Sequence, residues 1–315
     1  MKLKKINCII DSDPGVDDTA AITLSLYDDV MDIKLISTVS GNLDIDAVTR
    51  NMAHVLKMFK RTDIPFVKGS ARPMIREPKD AKFIHQNEGM GNYIPPKKVS
   101  YKPMDKDAIE AMYETICANK NDISIVVLGP MTNVGYLIQR HPDVTGMIDR
   151  IYTEGCAPYG WKHEGKWSNY ISFNASSDPE ALKIVLESGI PITYIRSRIG
   201  REITNWNEEE VLSMKDINDV GRFIYEMYSG YWEPGYDDRR IATNDTCAVL
   251  ALRFPELFKT KKVKLTVNTD DMPGRTDVVF DKKGNVDFVV KVNAKKVHKY
   301  FFNAIKKLDF IKIYK

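Results

Sequence analysis

Short runs of apolar residues alternate along most of the chain with longer segments whose apolar positions recur at helical spacing. Ile6–Ile10 reads as a buried strand, and Asp17–Tyr27 as a helix entered through the Pro14–Gly15 turn. Lys34–Val39 reads as a second strand and Asp44–Phe59 as a second helix. Pro65–Val67 and Ile123–Leu128 are further strands, the latter leading through Gly129–Pro130 into a helix near Thr132–Arg140. A strand at Ile151–Thr153, a helix at Asp178–Glu187 and a strand at Ile192–Ile195 continue the alternation. Such a pattern predicts a mainly parallel sheet with helices on both faces. Toward the end the character changes. Lys262–Val267, Asp277–Phe280 and Asp287–Val292 are strand-like, the last two flanking the turn-forming Lys282–Lys283–Gly284–Asn285, and Ala294–Lys306 reads as a closing helix. The expected fold is α/β: one open, mainly parallel, doubly wound sheet with a small C-terminal strand hairpin and a closing helix. There is no internal repeat, low-complexity tract or Pro/Gly linker, so residues 1–315 read as a single domain with long loops near 70–100, 155–175 and 229–243.

Composition narrows the function classes. With 43% hydrophobic and 28% charged residues, the chain has the make-up of a globular protein and not of a disordered polymer. Forty-six basic against 43 acidic residues leave a formal charge of +3, which argues against a nucleic-acid partner held by a general basic field. The cysteines Cys8, Cys117, Cys156 and Cys247 form no CxxC pair and read as buried thiols in a reducing compartment. The opening MKLKKINCIID lacks the apolar length and cleavage site of a signal peptide, and no apolar run approaches a membrane span. A cytoplasmic location, with no membrane partner, is the expectation.

Candidate chemistry concentrates in Asp11-Ser-Asp13-Pro-Gly15-Val-Asp17-Asp18. Four carboxylates fall where a buried strand hands over to a helix, at the edge of a parallel sheet where open α/β folds bind ligands. A helix N-terminus accounts for Asp17 or Asp18 as a cap. It does not account for Asp11 and Asp13, which would repel the other two. A hard cation neutralises such a cluster, and oxygen-only ligands point to Ca²⁺ or Mg²⁺. Phosphotransferases of the haloacid-dehalogenase type carry a DxDx(T/V) strand end, but here Gly15 stands where that pattern wants Thr or Val. The full string instead resembles the DxDPGxDD signature of the nucleoside hydrolase (inosine–uridine preferring) family. The similarity continues through Gly41-Asn42, Thr49-Arg50-Asn51, Gly69–Pro73 and His85 with Gly89-Met90-Gly91. It extends to Leu128–Asn133, Phe173-Asn174 with Asp178-Pro179-Glu180-Ala181, and Gly274-Arg275-Thr276.

This resemblance implies a ribonucleoside N-ribohydrolase that splits a purine or pyrimidine nucleoside into ribose and free base with Ca²⁺-activated water. It implies that Asp13, Asp18, Asp245 and the Leu128 carbonyl hold the ion, with Asp13 also the general base. Asp17 and Asn42 would contact the ribose hydroxyls, and Asn174 would support the sugar from the opposite loop. It further implies a homodimer or homotetramer. Two positions depart from the family pattern. Ser172 stands where members usually carry a Glu that helps hold the sugar. Asn244 stands where many carry a His proposed to protonate the leaving base, and where another branch carries a Trp; an amide can hydrogen-bond there but cannot donate a proton near neutral pH. His85 is the alternative catalytic candidate, and Tyr231, Trp232 and Tyr236 could stack on or hydrogen-bond to a base. Trp161, His163 and Trp167 could form a lid. Arg196, Arg198, Arg201, Arg239 and Arg240 could receive a phosphate or carboxylate on a modified ribosyl substrate. The rival expectation is a non-catalytic nucleoside- or sugar-binding relative that kept its metal cage.

Overall fold

The structure is a computed structural model that describes residues 4–156, 161–163, 166–168, 170–197, 199–231 and 240–308, with only the backbone course for 161–163 and 166–168. The apolar runs form strands β1 (Ile6–Ser12), β2 (Met31–Thr38), β3 (Phe66–Lys68), β4 (Ser124–Val127) and β5 (Arg150–Cys156). A short antiparallel ribbon follows, β6 (Trp161–His163) with β7 (Lys166–Ser168). The remaining strands are β8 (Ile192–Arg196), β9 (Phe258–Val267), β10 (Thr276–Phe280) and β11 (Val286–Val292).

Nine of these join in one sheet of order β10-β9-β11-β8-β5-β4-β1-β2-β3, and every pairing from β11 to β3 is parallel. Strands of a parallel sheet are covered on both faces and so read as continuous apolar runs. Residues Ser124–Val127 are accordingly all buried. Alternation along β1 feeds two cores. Cys8 and Ile10 pack with the helices Val16–Tyr27, Ile45–Met58 and Ala294–Lys307, while Ile9 packs on the other side with the helices Ala108–Ala118, Thr132–Arg140 and Pro179–Glu187. Helices therefore cover both faces, as a doubly wound sheet requires.

The C-terminal hairpin has β9 and β10 as its arms, with residues 268–275 as the connection. The chain then turns through 281–285 and places β11 on the opposite side of β9, where it also runs parallel to β8. The turn residues before β11 thus link two strands that do not pair with each other. Cys8, Cys156 and Cys247 are buried, whereas Cys117, expected to be buried with them, is exposed. Three helices of seven or more residues lie where the apolar pattern assigns none: Ala108–Ala118, Glu208–Met214 and Asp219–Ser229. Each has a side-chain cap, from Asp107, Asn207 and Asn218 respectively. No helix among the described residues is long and apolar enough to cross a membrane.

The topology also sets where a ligand can enter. From β1 the chain winds outward through β2 and β3, then returns to β4 on β1's other side. The crevice at the carboxyl ends of β1 and β4 is therefore a topological switch point.

Candidate active site

The four clustered acids do not share one environment, because Asp11 lies within β1 while Asp13, Asp17 and Asp18 follow its end. Asp11 turns beneath the sheet edge, where its carboxylate accepts from the Ser37 hydroxyl and, at 2.7 Å, from Asn133 Nδ2. Burial pushes its pKa up to about 7. Asp13 is also buried. Its Oδ2 accepts from the Asn42 backbone N–H at 2.7 Å, while its Oδ1 has no hydrogen-bond partner. The glycines of the two adjoining turns make room for this carboxylate: a Cβ on Gly41 would stand 2.0 Å from Oδ2, and one on Gly129 would stand 2.6 Å from Oδ1.

Asp18, in the first turn of the helix Val16–Tyr27, is fully engaged. One oxygen accepts from Ser12 Oγ at 2.7 Å, and the other from Gly15 N at 3.1 Å and Asn42 Nδ2 at 2.9 Å. Asn42 Nδ2 also donates to the Asp13 carbonyl at 3.1 Å, so a single amide ties strand end to helix start. Burial, and then repulsion from Asp18, pushes the Asp13 pKa well up. Asp245, at the start of the helix Asn244–Arg253, is driven well up by burial and by repulsion from Asp17, Asp18, Glu154 and Asp13. Asp17, Asp18 and Asp245 place carboxylate oxygens within 4.8 Å of one another. A partnerless buried carboxylate oxygen beside three converging acids fits a cation far better than it fits a bare anion cluster. Of the four ligands that the family resemblance implies, Asp18 and Asp245 converge directly. Asp13 meets Asp18 from below, and the Leu128 carbonyl accepts from Asn174 Nδ2 at 2.7 Å.

Above this floor opens a cavity of about 340 Å³. Asp17, Asp18, Asn42 and Asp245 line its floor, Leu128 its side, and His85, Ser172, Asn174, Tyr231 and Asn244 its walls. Tyr236 and Trp232 lie outside the described residues, as do Arg198, Arg239 and the side chains of Trp161, His163 and Trp167. Of the other basic candidates, Arg196 pairs with Glu202 at 2.6 Å, and Arg201 lines the cavity while donating to the Arg240 carbonyl at 2.8 Å.

The walls are made by side chains that also hold backbone. His85 Nδ1 accepts from the Val16 N–H at 3.1 Å, which puts the imidazole proton on Nε2. Burial lowers its pKa to about 4, so the ring is neutral near pH 7 and can donate a hydrogen bond but not act as an imidazolium acid. Tyr231 meets it edge to face, with ring centroids 5.3 Å apart. Ser172 Oγ caps the short helix Phe173–Ser177 by accepting from Ala175 N at 3.3 Å, and Asn244 Oδ1 accepts from Gly200 N at 2.9 Å. One acidic wall residue is not singled out by the sequence. Glu154, near the end of β5, lines the cavity and accepts from Asn174 Nδ2 at 2.8 Å. The only sequence signal for it is an acid followed by glycine just beyond an apolar strand run.

Comparison with known proteins agrees with this arrangement. The inosine-uridine preferring nucleoside hydrolase family model matches residues 8–299. The chain is similar to the non-specific ribonucleoside hydrolase RihC of Escherichia coli O127:H6, at 29% identity over 300 residues, covering 92% of this chain and 95% of that protein. RihC of Salmonella typhimurium is 29% identical over 286 residues, or 89% of each chain. Among solved structures, the plant nucleoside hydrolase PpNRh1 superposes with a TM-score of 0.86 at 24% identity over 96% of this chain and 99% of that one. A purine-preferring ribonucleoside hydrolase from Gardnerella vaginalis gives 0.87 at 23% identity over 98% and 99%; at such identities these two likenesses speak to fold. With the signature carboxylates gathered at the switch point and the family model spanning nearly the whole sequence, the chain belongs to the inosine-uridine preferring nucleoside hydrolase family, enzymes that cleave N-glycosidic bonds.

Proposed function

We propose that the protein is a Ca²⁺-dependent ribonucleoside N-ribohydrolase that converts a purine or pyrimidine nucleoside into ribose and free base. The observation that carries this reading is the buried Asp13, one oxygen of which has no partner, beneath a carboxylate-lined cavity. Asp13, Asp18, Asp245 and the Leu128 carbonyl would hold the ion, and a donor set made only of oxygens suits Ca²⁺. When bound, the ion supplies positive charge that acidifies and orients the attacking water.

The chain's own groups supply the rest. Asp13 accepts the water proton as the C1′–O bond forms and the C1′–N bond breaks. Positive charge developing on the sugar faces the acid-lined floor, which is fixed before the reaction begins and need not reorganise. Asp17 and Asn174 address the hydroxyls. Asn42 would do so through its amide oxygen, because its Nδ2 already donates to Asp18 and to the Asp13 carbonyl. The departing base must gain a proton. His85 Nε2–H and Tyr231 border the space it leaves through, and a hydrogen bond from either disperses its charge until solvent completes the transfer.

The test is reducing-sugar release from a panel of purine and pyrimidine nucleosides, with Asp13→Ala as the control. Release by the wild type alone supports the hydrolase. Ca²⁺ binding with no release from any nucleoside would instead favour a binding protein, in which Ser172 and Asn244 serve only the backbone contacts they make here.

A further inference from the structure

We propose that Gln86 is a positioning residue for the departing base: its strained backbone, anchored through its side chain to Gly230, holds His85 against the space the base leaves through. The inference rests on the hydrolase reading above and deepens it, naming what fixes the leaving-group side of the site.

His85 ends a single-turn helix, Lys82–His85, and Gln86 breaks that helix at φ +66° and ψ 172°. This combination is essentially confined to glycine, because the Cβ of any other residue crowds the adjoining backbone. Such strain persists only where the surroundings impose it, and it collects at functional sites. A glycine would make the same turn without that cost. Gln86 is also exposed, so its side chain fills no core. Among the described residues, what the side chain adds is one hydrogen bond: Nε2 donates to the Gly230 carbonyl at 3.0 Å.

That bond joins two parts of the cavity wall. His85 directly precedes Gln86, Tyr231 directly follows Gly230, and the two rings meet edge to face. The backbone around Gln86 is closed into a turn by Gly89 N donating to the Gln86 carbonyl and Gly91 N to the His85 carbonyl, each at 3.0 Å. The turn lies flush on the last turn of the helix Asp219–Ser229. A Cβ on Gly91 would stand 1.9 Å from the Met227 carbonyl oxygen, and Asn92 N donates to the Glu226 carbonyl at 3.1 Å. Gln86 is thus pinned twice, its backbone by the turn and its side chain by Gly230. With the anchor cut, relaxation of φ toward negative values would re-aim His85 relative to the rest of the turn and draw the imidazole off the Val16 N–H.

The test compares wild type, Gln86→Ala and Gln86→Gly on a ribonucleoside and on 4-nitrophenyl β-ribofuranoside. Nitrophenolate leaves as a stable anion and needs no hydrogen bond from His85, whereas a nucleobase does. Gln86→Ala keeps the strain and loses the anchor; Gln86→Gly loses both together. Gln86→Ala is expected to lower kcat for the nucleoside on the order of 10-fold with KM little moved, while the nitrophenyl riboside is cleaved at the wild-type rate. Gln86→Gly is expected to recover most of the lost rate. Labelling of His85 by diethyl pyrocarbonate, followed by mass spectrometry against His141, should be faster in Gln86→Ala than in wild type or Gln86→Gly. Equal losses on the two substrates, equal losses in the two variants, or no loss in Gln86→Ala would each overturn the proposal while leaving the hydrolase intact. If the wild type cleaves neither compound, the hydrolase reading falls and the labelling alone decides: equal rates in the three proteins would overturn the proposal as well.

Discussion

The floor and the walls of the cavity are built by different means. On the floor, Asp13, Asp18, Asn42, Ser12 and Gly15 hydrogen-bond one another across a strand end, a helix start and the turn after β2. Glycines at 41 and 129 are packed so closely on Asp13 that no larger residue fits without displacement. The walls come from separate segments whose side chains accept from backbone: His85 from Val16, Ser172 from Ala175, Asn244 from Gly200. A network with many shared members tolerates little change, whereas a wall residue can be exchanged at the cost of its own bond. Positions 172 and 244, which the family resemblance marks as departures, both lie on the walls.

Substitutions can break this contrast or sharpen it. The largest effect is expected at Asp13→Asn, which removes the general base while keeping the side-chain shape; nucleoside hydrolysis should fall by about 10²- to 10⁴-fold. Its metal-free melting temperature should hold or rise, since a buried repelled charge is gone. Retained turnover in a sugar-release assay would remove the floor's claim to the chemistry. Next is Asp245→Asn. Ca²⁺ at a hundred times its Kd should stabilise the wild type by about 2.7 kcal/mol relative to chelator, and this variant should lose most of that gain in thermal melts. Asp11→Ala should act differently from its neighbour Asp13. It strands the Ser37 and Asn133 donors and should cost about 1–3 kcal/mol in urea unfolding, while the folded fraction still turns over.

Smaller effects are expected on the walls. Asn244→Ala removes the acceptor for Gly200 N and should cost about 1 kcal/mol, as for a lost helix cap. The ratio of purine to pyrimidine cleavage should shift more than the overall rate. The smallest effect lies outside both regions, at His54, which hydrogen-bonds Tyr93 at 2.8 Å. Burial and then the nearby Arg50 and Lys57 lower its pKa from 6.5 to about 4. The unfolded chain therefore binds a proton in that window which the folded chain refuses, so stability falls as pH drops from about 6.5 toward 4. In His54→Gln the pH dependence of the melting temperature should be shallower over that range, giving the baseline for acid titrations of the walls.

How much of this could be read without coordinates depends on the kind of signal. β1, β4 and β8 declare themselves because strands buried on both faces are continuous apolar runs, and the helix Ile45–Met58 because its apolar residues keep one side. The helices Ala108–Ala118, Glu208–Met214 and Asp219–Ser229 escape an apolar-run reading, although Asp107, Asn207 with Glu210, and Asn218 mark their starts as caps. The acidic string announces a cation, yet only the fold separates Asp11, which ties strands together, from Asp13 two residues later. Glu154 is the least legible. The apolar pattern ends at Thr153, and a register irregularity follows between Glu154 and Cys156, with Gly155 at φ +99°. A local backbone irregularity leaves no periodic trace.

The site at the switch point also has a consequence for how the chain assembles. Its floor joins segments from opposite ends of the sequence: Asp13 and Asp18 follow the first strand, Leu128 follows β4, and Asp245 comes only after β8. Parallel pairing of β1 with β4 has to wait for the whole intervening crossover, and such non-local closure is slow relative to local helix formation. Asp13 and Asp18 can therefore meet Leu128 and Asp245 only once the intervening crossovers have closed. A bound cation would then act on the unfolding rate, holding closed a contact absent from partly folded chains, and its release kinetics would report when the last crossover comes apart.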